Sequence, residues 1–331
     1  MFADVAFSAL SLALILLSCF LFTNAVEWLG KKLNLGQGIV GSIFAAVGTA
    51  LPETMIPIIA ILVYHDAGSK EIGIGAIAGA PFMLGTLAFF VTGLAVIIYS
   101  AIGKRTLKMN IDEKIISKDL AFFLAVYTVA VATTFIHEFA VARSIIAIIL
   151  LLSYALYLKI AFAYGGSKGE DVERLFISRV FRAKASMAWI IAQALLSLAG
   201  ILYGADTFIG NVGNMAGRLG VAPLVLSIII TPIATELPEM LNSIIWTGRK
   251  KDTLALGNIT GAMVFQSCFT VVFGMLFTSW DLSGITLLSA AITIFAVAFS
   301  LIWIRAREKA NPFILLFGGL FYAALMIYIF R

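Results

Sequence analysis

Charged and reactive residues are scarce in this chain. Only 12% of its 331 residues are charged, whereas soluble domains carry about 25%. The only two cysteines, Cys19 and Cys268, indicate neither a disulfide framework nor a metal cluster. Because hydrophobic residues make up 61% of the sequence, we expect an all-α integral membrane protein with no room for a sizeable soluble domain.

Motifs for enzymatic chemistry are missing as well. His137 and Glu138 resemble the start of a zinc-protease motif, but Val141 stands where its second histidine would be needed. No glycine-rich loop followed by Lys and Ser or Thr occurs, which argues against nucleotide binding and ATP-driven activity. We therefore expect neither an enzyme nor a bound cofactor.

Long apolar runs predict ten transmembrane helices, each near the roughly 20 residues that a bilayer requires. The predicted spans cover residues 4–24, 37–64, 71–100, 118–136, 141–163, 185–204, 220–246, 253–279, 282–304 and 311–330.

Positive charges are distributed unevenly among the predicted loops. The connections after the odd-numbered spans, with their flanks, carry 19 of the 23 Lys and Arg residues. By the positive-inside rule this side is cytoplasmic, so we expect a multi-pass protein of the cell membrane with both termini extracytoplasmic. Since the charges are scattered over five short loops, we expect the lipid bilayer and no nucleic acid as partner.

An acidic motif broken by proline occurs twice, as Gly48–Glu53 and as Ala234–Glu239. A carboxylate in hydrocarbon costs about 2.5–3.5 kcal/mol on insertion scales, so such residues usually serve ions or protons. The adjacent proline breaks the helix and frees backbone carbonyls as further oxygen ligands. Two such half-sites are typical of a duplicated cation transporter.

The two halves of the chain form an internal repeat. An offset of 186 residues aligns Glu53 with Glu239, and a glycine-spaced helix follows each motif, with Gly75 and Gly79 in the first half and Gly257 and Gly261 in the second. Five spans separate equivalent elements, so the halves insert in opposite orientations. The predicted division is a first five-helix repeat at 1–163 (motif 42–85), a cytoplasmic linker at 164–184 and a second repeat at 185–331 (motif 224–267).

These motifs and this layout resemble the cation/calcium exchanger superfamily, with prokaryotic sodium/calcium exchangers the most similar in length. The resemblance implies that Glu53 and Glu239 bridge a Ca²⁺ ion and that Thr49 and Thr235 supply further oxygens. It also implies antiport of Ca²⁺, or a similar divalent cation, against Na⁺ or H⁺ by alternating access. Calcium favours six to eight hard oxygen ligands, which agrees with these residue types.

The chain departs from its sodium-coupled relatives at inner positions where hydroxyl and amide groups help to hold sodium. Here those positions carry Ala50, Ala80, Leu84 and Ala262. Glu236 and Gln266 are polar at such positions and are candidates for cation or proton coupling. A proton needs only a carboxylate, whereas the family layout favours sodium, so the residues leave the counter-ion open.

Three further polar residues are candidates for the ion pathway, namely Asn242, Asn258 and Thr231. Each could instead bond to the backbone of a helix. A passive divalent-cation channel is the alternative function, but the bulky apolar residues around both motifs favour gates that close over the site.

Overall fold

The structure, a computed structural model, describes residues 2–62, 67–163, 172–182, 184–218, 236–307 and 311–329. Within these residues all regular structure is helical. In chain order the elements are α1 (Phe2–Leu33), α2 (Gln37–Ile39), a π-helical segment π1 (Val40–Ala45), α3 (Ala46–Thr49), α4 (Leu51–Leu62), α5 (Ala67–Met83), a second π-helical segment π2 (Leu84–Ala88), α6 (Phe89–Ala101), α7 (Glu113–Ala132), a 3₁₀ turn (Thr133–Ile136), α8 (Ala140–Ala163), α9 (Phe176–Val180), α10 (Met187–Arg218), α11 (Leu237–Gly248), α12 (Asp252–Cys268), α13 (Thr270–Phe277), α14 (Gly284–Arg307) and α15 (Pro312–Ile329).

Eight stretches of described helix are long and apolar enough to cross a membrane. They coincide with the first, the third to sixth and the eighth to tenth predicted spans, which confirms a multi-pass helical membrane protein. The second predicted span is present as the short helices α2 to α4, and most of the seventh, 220–235, lies outside the described residues. The count of ten spans and the inverted repeat therefore stay predictions.

The helix carrying the first motif is discontinuous. It passes from α2 through π1 into α3, ends at Thr49, and resumes as α4 at Leu51. Pro52 has no N–H group, so it cannot donate to the carbonyl of Gly48, four residues earlier. Proline thus explains why the break falls at this point in an otherwise apolar stretch.

Helix α12 is the central element of the fold, because every one of its residues is buried. Glycines lie on both sides of its contact with π1. A Cβ added at Gly261 of α12 would overlap the backbone of Ser42, and a Cβ added at Gly41 of π1 would lie 3.0 Å from the Leu254 carbonyl oxygen. The predicted glycine spacing of the second half therefore permits backbone contact with the motif helix of the first half.

A second close contact joins α1 to α10. Gly200 and Gly204, one turn apart on α10, face Ser18 and Ile15 of α1, and added Cβ atoms would clash with both side chains. Gln193 reinforces the pair because its Nε2 donates to the Leu21 carbonyl at 2.9 Å. The helices α1 and α10 thus form a closely packed pair at one side of the core.

Helix α1 is longer than the predicted first span, which ends at residue 24. It continues to Leu33, so Glu27 lies within the helix and is 5% exposed rather than lying in a loop. Length alone could not place this boundary, since a charged residue near a span end fits a loop as well as a helix.

Candidate cation site

The two motifs share a backbone conformation at equivalent positions. Ala50, which separates α3 from α4, has φ −80° and ψ 7°, and Glu236, which precedes α11, has φ −82° and ψ −1°. Glu53 and Glu239 follow in the first turns of α4 and α11. A helix N-terminus carries partial positive charge, so it favours a carboxylate at that place.

Three carboxylates from the two motifs meet in the interior. One oxygen each from Glu53, Glu236 and Glu239 lies within 4.8 Å of the other two. The exposed fractions of the three residues are 3%, 0% and 0%. We call these three residues the acidic cluster.

The acidic cluster has no basic partner within the described part of the chain, where the ion pairs join Arg105 to Asp252 and Arg249 and Lys251 to other acids. Several of its oxygens also have no hydrogen-bond partner there. These are both oxygens of Glu53, both of Glu239 and Oε2 of Glu236. Three buried carboxylates cannot all carry charge without a compensating cation or proton.

Amide side chains from the second half of the chain lie near the acidic cluster. Gln266 Nε2 donates to Glu236 Oε1 at 2.9 Å, and Asn258 Nδ2 donates to the Glu239 carbonyl at 3.2 Å. Asn242, one turn after Glu239 on α11, is fully buried, and neither its amide oxygen nor its amide nitrogen has a partner among the described residues. The fold thus brings these three predicted residues to the same region as the acids.

Of the threonine residues predicted to line the site, Thr49 lies within the described residues. The Thr49 hydroxyl donates to the Ala45 carbonyl at 3.0 Å and also contacts Asn258 Oδ1 at 3.5 Å. The hydroxyl is therefore engaged with its own helix, and a ligand role for Thr49 stays a prediction. Thr231 and Thr235 lie outside the described residues.

Four positions that the resemblance would assign to polar sodium ligands carry buried apolar residues in the structure. Ala50, Leu84 and Ala262 are 0% exposed and Ala80 is 3% exposed. Leu84 opens π2, the point at which the long helix from α5 to α6 departs from α-helical bonding. Such π-helical turns are frequent at functional sites.

Sequence reasoning missed a further buried carboxylate near this region, Asp119 on α7, which is 2% exposed. Its Oδ2 accepts from Ser42 Oγ at 2.6 Å and Thr260 Oγ1 at 2.7 Å, and its Oδ1 accepts from Tyr157 at 3.0 Å. Because Asp119 is the second residue of a predicted span, no signal in the sequence distinguished it from a loop residue. It also missed Thr54, whose hydroxyl lies 3.2 Å from that of Thr270.

The side chains of this region suit a hard divalent cation. Among the described residues, five carboxylate oxygens of the cluster have no hydrogen-bond partner, and Gln266 and Asn242 each have an amide oxygen without one. Calcium takes six to eight oxygen ligands, and these seven oxygens fall within that range. A ligand set that contains oxygen but no sulfur or imidazole also suits Mg²⁺ and Mn²⁺.

Comparison with known proteins gives a consistent result. Residues 4–163 and 189–331 match the family of the sodium/calcium exchanger protein. The membrane protein MJ0091 of Methanocaldococcus jannaschii is 25% identical over 256 residues, covering 77% of this chain and 76% of its own length. CaxA of Alkalimonas amylolytica, which is named as an antiporter, is 23% identical over 267 residues, covering 80% and 78%.

A solved structure shares the fold over almost the whole chain. The sodium-calcium exchanger NCX_Mj, in crystals soaked with Na⁺ and Sr²⁺, superposes with a TM-score of 0.74 and 19% identity, covering 98% of both chains. At this identity the likeness establishes a common fold.

Proposed function

The chain belongs to the sodium/calcium exchanger family, and from this premise we propose that it is a secondary antiporter that moves Ca²⁺, or a similar divalent cation, in exchange for H⁺ or Na⁺. The observation that carries the proposal is the acidic cluster. Glu53 and Glu239 provide two negative charges from two motifs, which neutralise one divalent cation.

The third acid bears on the counter-ion. Two carboxylates balance Ca²⁺, so the charge of Glu236 requires a further positive charge, for which a proton suffices. The apolar residues at Ala50, Ala80, Leu84 and Ala262 offer no side-chain oxygen to sodium. On these grounds we favour H⁺ as the counter-ion and Glu236 as the residue that carries it, held by its contact with Gln266.

Burial of the cluster supports an exchanger over a passive channel. None of the three acids is more than 3% exposed, which is expected of an occluded site and not of an open pore. We propose that two inverted five-helix repeats with ten spans give access to this site from each side in turn, with the termini on the extracytoplasmic side.

Uptake of calcium-45 by proteoliposomes tests the proposal. Uptake into liposomes that contain the purified protein is driven in parallel experiments by an outward proton gradient at zero sodium and by an outward sodium gradient at fixed pH. We expect uptake in the proton arm. Uptake in the sodium arm alone would contradict proton coupling, uptake that follows voltage without a counter-gradient would support a channel, and no uptake of Ca²⁺, Mn²⁺ or Mg²⁺ in either arm would contradict antiport.

A further inference from the structure

Helices α1 and α11 pack side by side in a fixed register. Cys19 Sγ lies 4.0 Å from the Pro238 carbonyl oxygen, and two turns further along both helices Trp246 Nε1 donates to Glu27 Oε1 at 2.8 Å. Both contacts join residues that are 219 positions apart in the chain, so the two helices are parallel over this stretch. We call the contact between them the α1–α11 seam. It begins next to Glu239 of the acidic cluster and runs toward the end of α11.

This register places one polar residue of each helix opposite the other in the middle of the seam. On α1, Thr23 lies four residues from each of Cys19 and Glu27, and on α11, Asn242 lies four residues from each of the two contact residues. Residues four apart share one face of a helix. Because Thr23 and Asn242 are also 219 positions apart, they face each other across the seam. Both are 0% exposed, so a hydroxyl and an amide group are enclosed there.

The amide group of Asn242 is the unusual member of this pair. Neither its Oδ1 nor its Nδ2 forms a hydrogen bond within the described part of the chain. Ser243, the next residue and equally buried, donates to the Ala255 carbonyl at 2.8 Å. A buried polar group without a partner lowers stability, so the packing of α11 does not by itself account for an amide at position 242.

The first half of the chain has no polar side chain at the equivalent position. The offset of 186 residues that aligns Glu239 with Glu53 pairs Asn242 with Ile56. A helix that follows the proline-glutamate motif therefore does not require an amide one turn after its glutamate. This difference between the halves favours a role in function for Asn242.

The oxygen atoms along the seam suit a cation in transit. Glu239 supplies a carboxylate and Asn242 an amide oxygen. Thr23 Oγ1 donates its proton to the Phe20 carbonyl at 3.0 Å, which leaves its lone pairs available to a cation. Calcium accepts all three kinds of oxygen together with water. Because the amide and the hydroxyl are neutral, they hold a cation less tightly than the acidic cluster does and allow it to leave.

We propose that Glu239, Asn242 and Thr23 form a transit site, at which the divalent cation stops between the acidic cluster and the face of the membrane where α11 ends. This inference rests on the proposed function, since it takes a divalent cation to be the cargo. The bond between Trp246 and Glu27 closes the seam beyond the transit site, which agrees with the complete burial of Asn242. A proton would gain nothing from this site, because neither a neutral amide nor a hydroxyl takes up a proton at physiological pH.

Calcium-45 uptake measured from each face of the membrane tests the proposal. Sealed vesicles of both orientations contain the full-length protein. The face at which α11 ends is identified with Lys104→Cys and an impermeant maleimide, because Lys104 is exposed and its neighbour Arg105 donates to the Thr247 carbonyl near the end of α11. At that face Asn242→Leu should raise the calcium concentration for half-maximal uptake about tenfold, since one uncharged ligand is lost. At the other face the value should not change.

Two further variants sharpen the test. Thr23→Val should give a smaller increase at the same face as Asn242→Leu. Ser243→Ala is the matched control, because it removes a polar group from the neighbouring position of α11, and it should behave like the wild type at both faces. The Tm of Asn242→Leu should not fall, since leucine is similar in size to asparagine and needs no hydrogen-bond partner.

Four outcomes would overturn the transit site. An equal increase at both faces in Asn242→Leu would place the amide in the acidic cluster itself. An unchanged value at both faces would make Asn242 a structural residue, and an equal increase in Ser243→Ala would indicate a general effect of altering α11. These three outcomes leave the proposed exchange intact. No uptake by the wild type from either face would contradict antiport itself, and the transit site with it.

Discussion

Two groups of buried carboxylates differ in what surrounds them. Asp252 is held by Arg105, with Nη1–Oδ1 and Nη2–Oδ2 distances of 2.6 and 2.8 Å, and it accepts from the Asn110 backbone at 2.7 Å. Glu27 accepts from Lys251 at 2.7 Å and from Trp246 at 2.8 Å. The acidic cluster, by contrast, has one side-chain donor bond in the described structure, from Gln266 to Glu236.

Under the proposed function, this difference distinguishes acids with a structural role from acids with a transport role. A buried carboxylate costs several kcal/mol unless partners compensate it, and Asp252 and Glu27 have such partners within the protein. Among the described residues the oxygens of Glu53 and Glu239 lack such partners, and under the proposed function their compensation comes from an ion that enters and leaves. We therefore expect substitutions in the two groups to have opposite effects on stability and transport.

The largest effect on transport is expected for Glu53→Gln and for Glu239→Gln. Each removes one of the two charges that balance Ca²⁺, so uptake by proteoliposomes should fall at least about 100-fold, which corresponds to about 2.7 kcal/mol. Folding should be unaffected, because a neutral amide is easier to bury than an unpaired carboxylate. Normal transport in either variant would exclude the two-carboxylate site.

Asp252→Asn is expected to lower stability and to leave transport intact. This change leaves the buried guanidinium of Arg105 without its charged partner, and losing one member of a buried pair typically costs about 3–5 kcal/mol. The Tm in detergent should fall while uptake per folded molecule is retained. If the variant does not fold, R105M/D252L provides the test, since replacing both partners should restore much of the stability. A stable Asp252→Asn protein would contradict the distinction.

Calcium should stabilise the wild-type protein through the acidic cluster. At a hundredfold excess over Kd, binding adds about 2.7 kcal/mol to the free energy of unfolding, and chelation should reverse the gain. The same addition should not change the Tm of Glu53→Gln. We call Asp252 and Glu27 the anchored acids, and a variant of either that still folds should respond to calcium like the wild type. Equal stabilisation of Glu53→Gln would indicate that calcium binds elsewhere.

Glu236→Ser tests whether the third acid carries the counter-ion. Serine removes the charge but keeps an oxygen, so Ca²⁺ should still bind to Glu53 and Glu239. We expect proton-driven uptake to fall about tenfold, or about 1.4 kcal/mol, while calcium-dependent stabilisation is kept. Unchanged proton-driven uptake would exclude Glu236 as the proton carrier.

The sequence predicted the parts of the site that depend on local pattern. Proline next to glutamate in an apolar stretch identifies a helix break, and the structure has such a break at Ala50 and a helix start after Glu236. The glycine spacing around Gly257 and Gly261 likewise predicted close packing, which the contact with Ser42 confirms.

What the sequence could not predict depends on contacts between distant segments. Glu27 and Asp119 lie near the ends of predicted spans, where an acidic residue fits a loop equally well. Their roles follow from partners more than 30 residues away, such as Trp246 and Tyr157. Segments π1 and π2 carry no proline or charge that would have indicated their altered hydrogen bonding.

The smallest effect is expected at Asp119, which belongs with the anchored acids because three hydroxyl groups donate to it. Tyr157→Phe removes one of these donors and leaves Ser42 and Thr260 in place. The loss should be about 1 kcal/mol of stability, measured as a small decrease in Tm, with uptake per folded molecule unchanged. Ser42→Ala is the matched comparison, since it removes a different donor from the same carboxylate. If Tyr157→Phe instead abolished calcium-dependent stabilisation without lowering Tm, Asp119 would have to be grouped with the acidic cluster, and partner count would no longer separate structural acids from transporting ones.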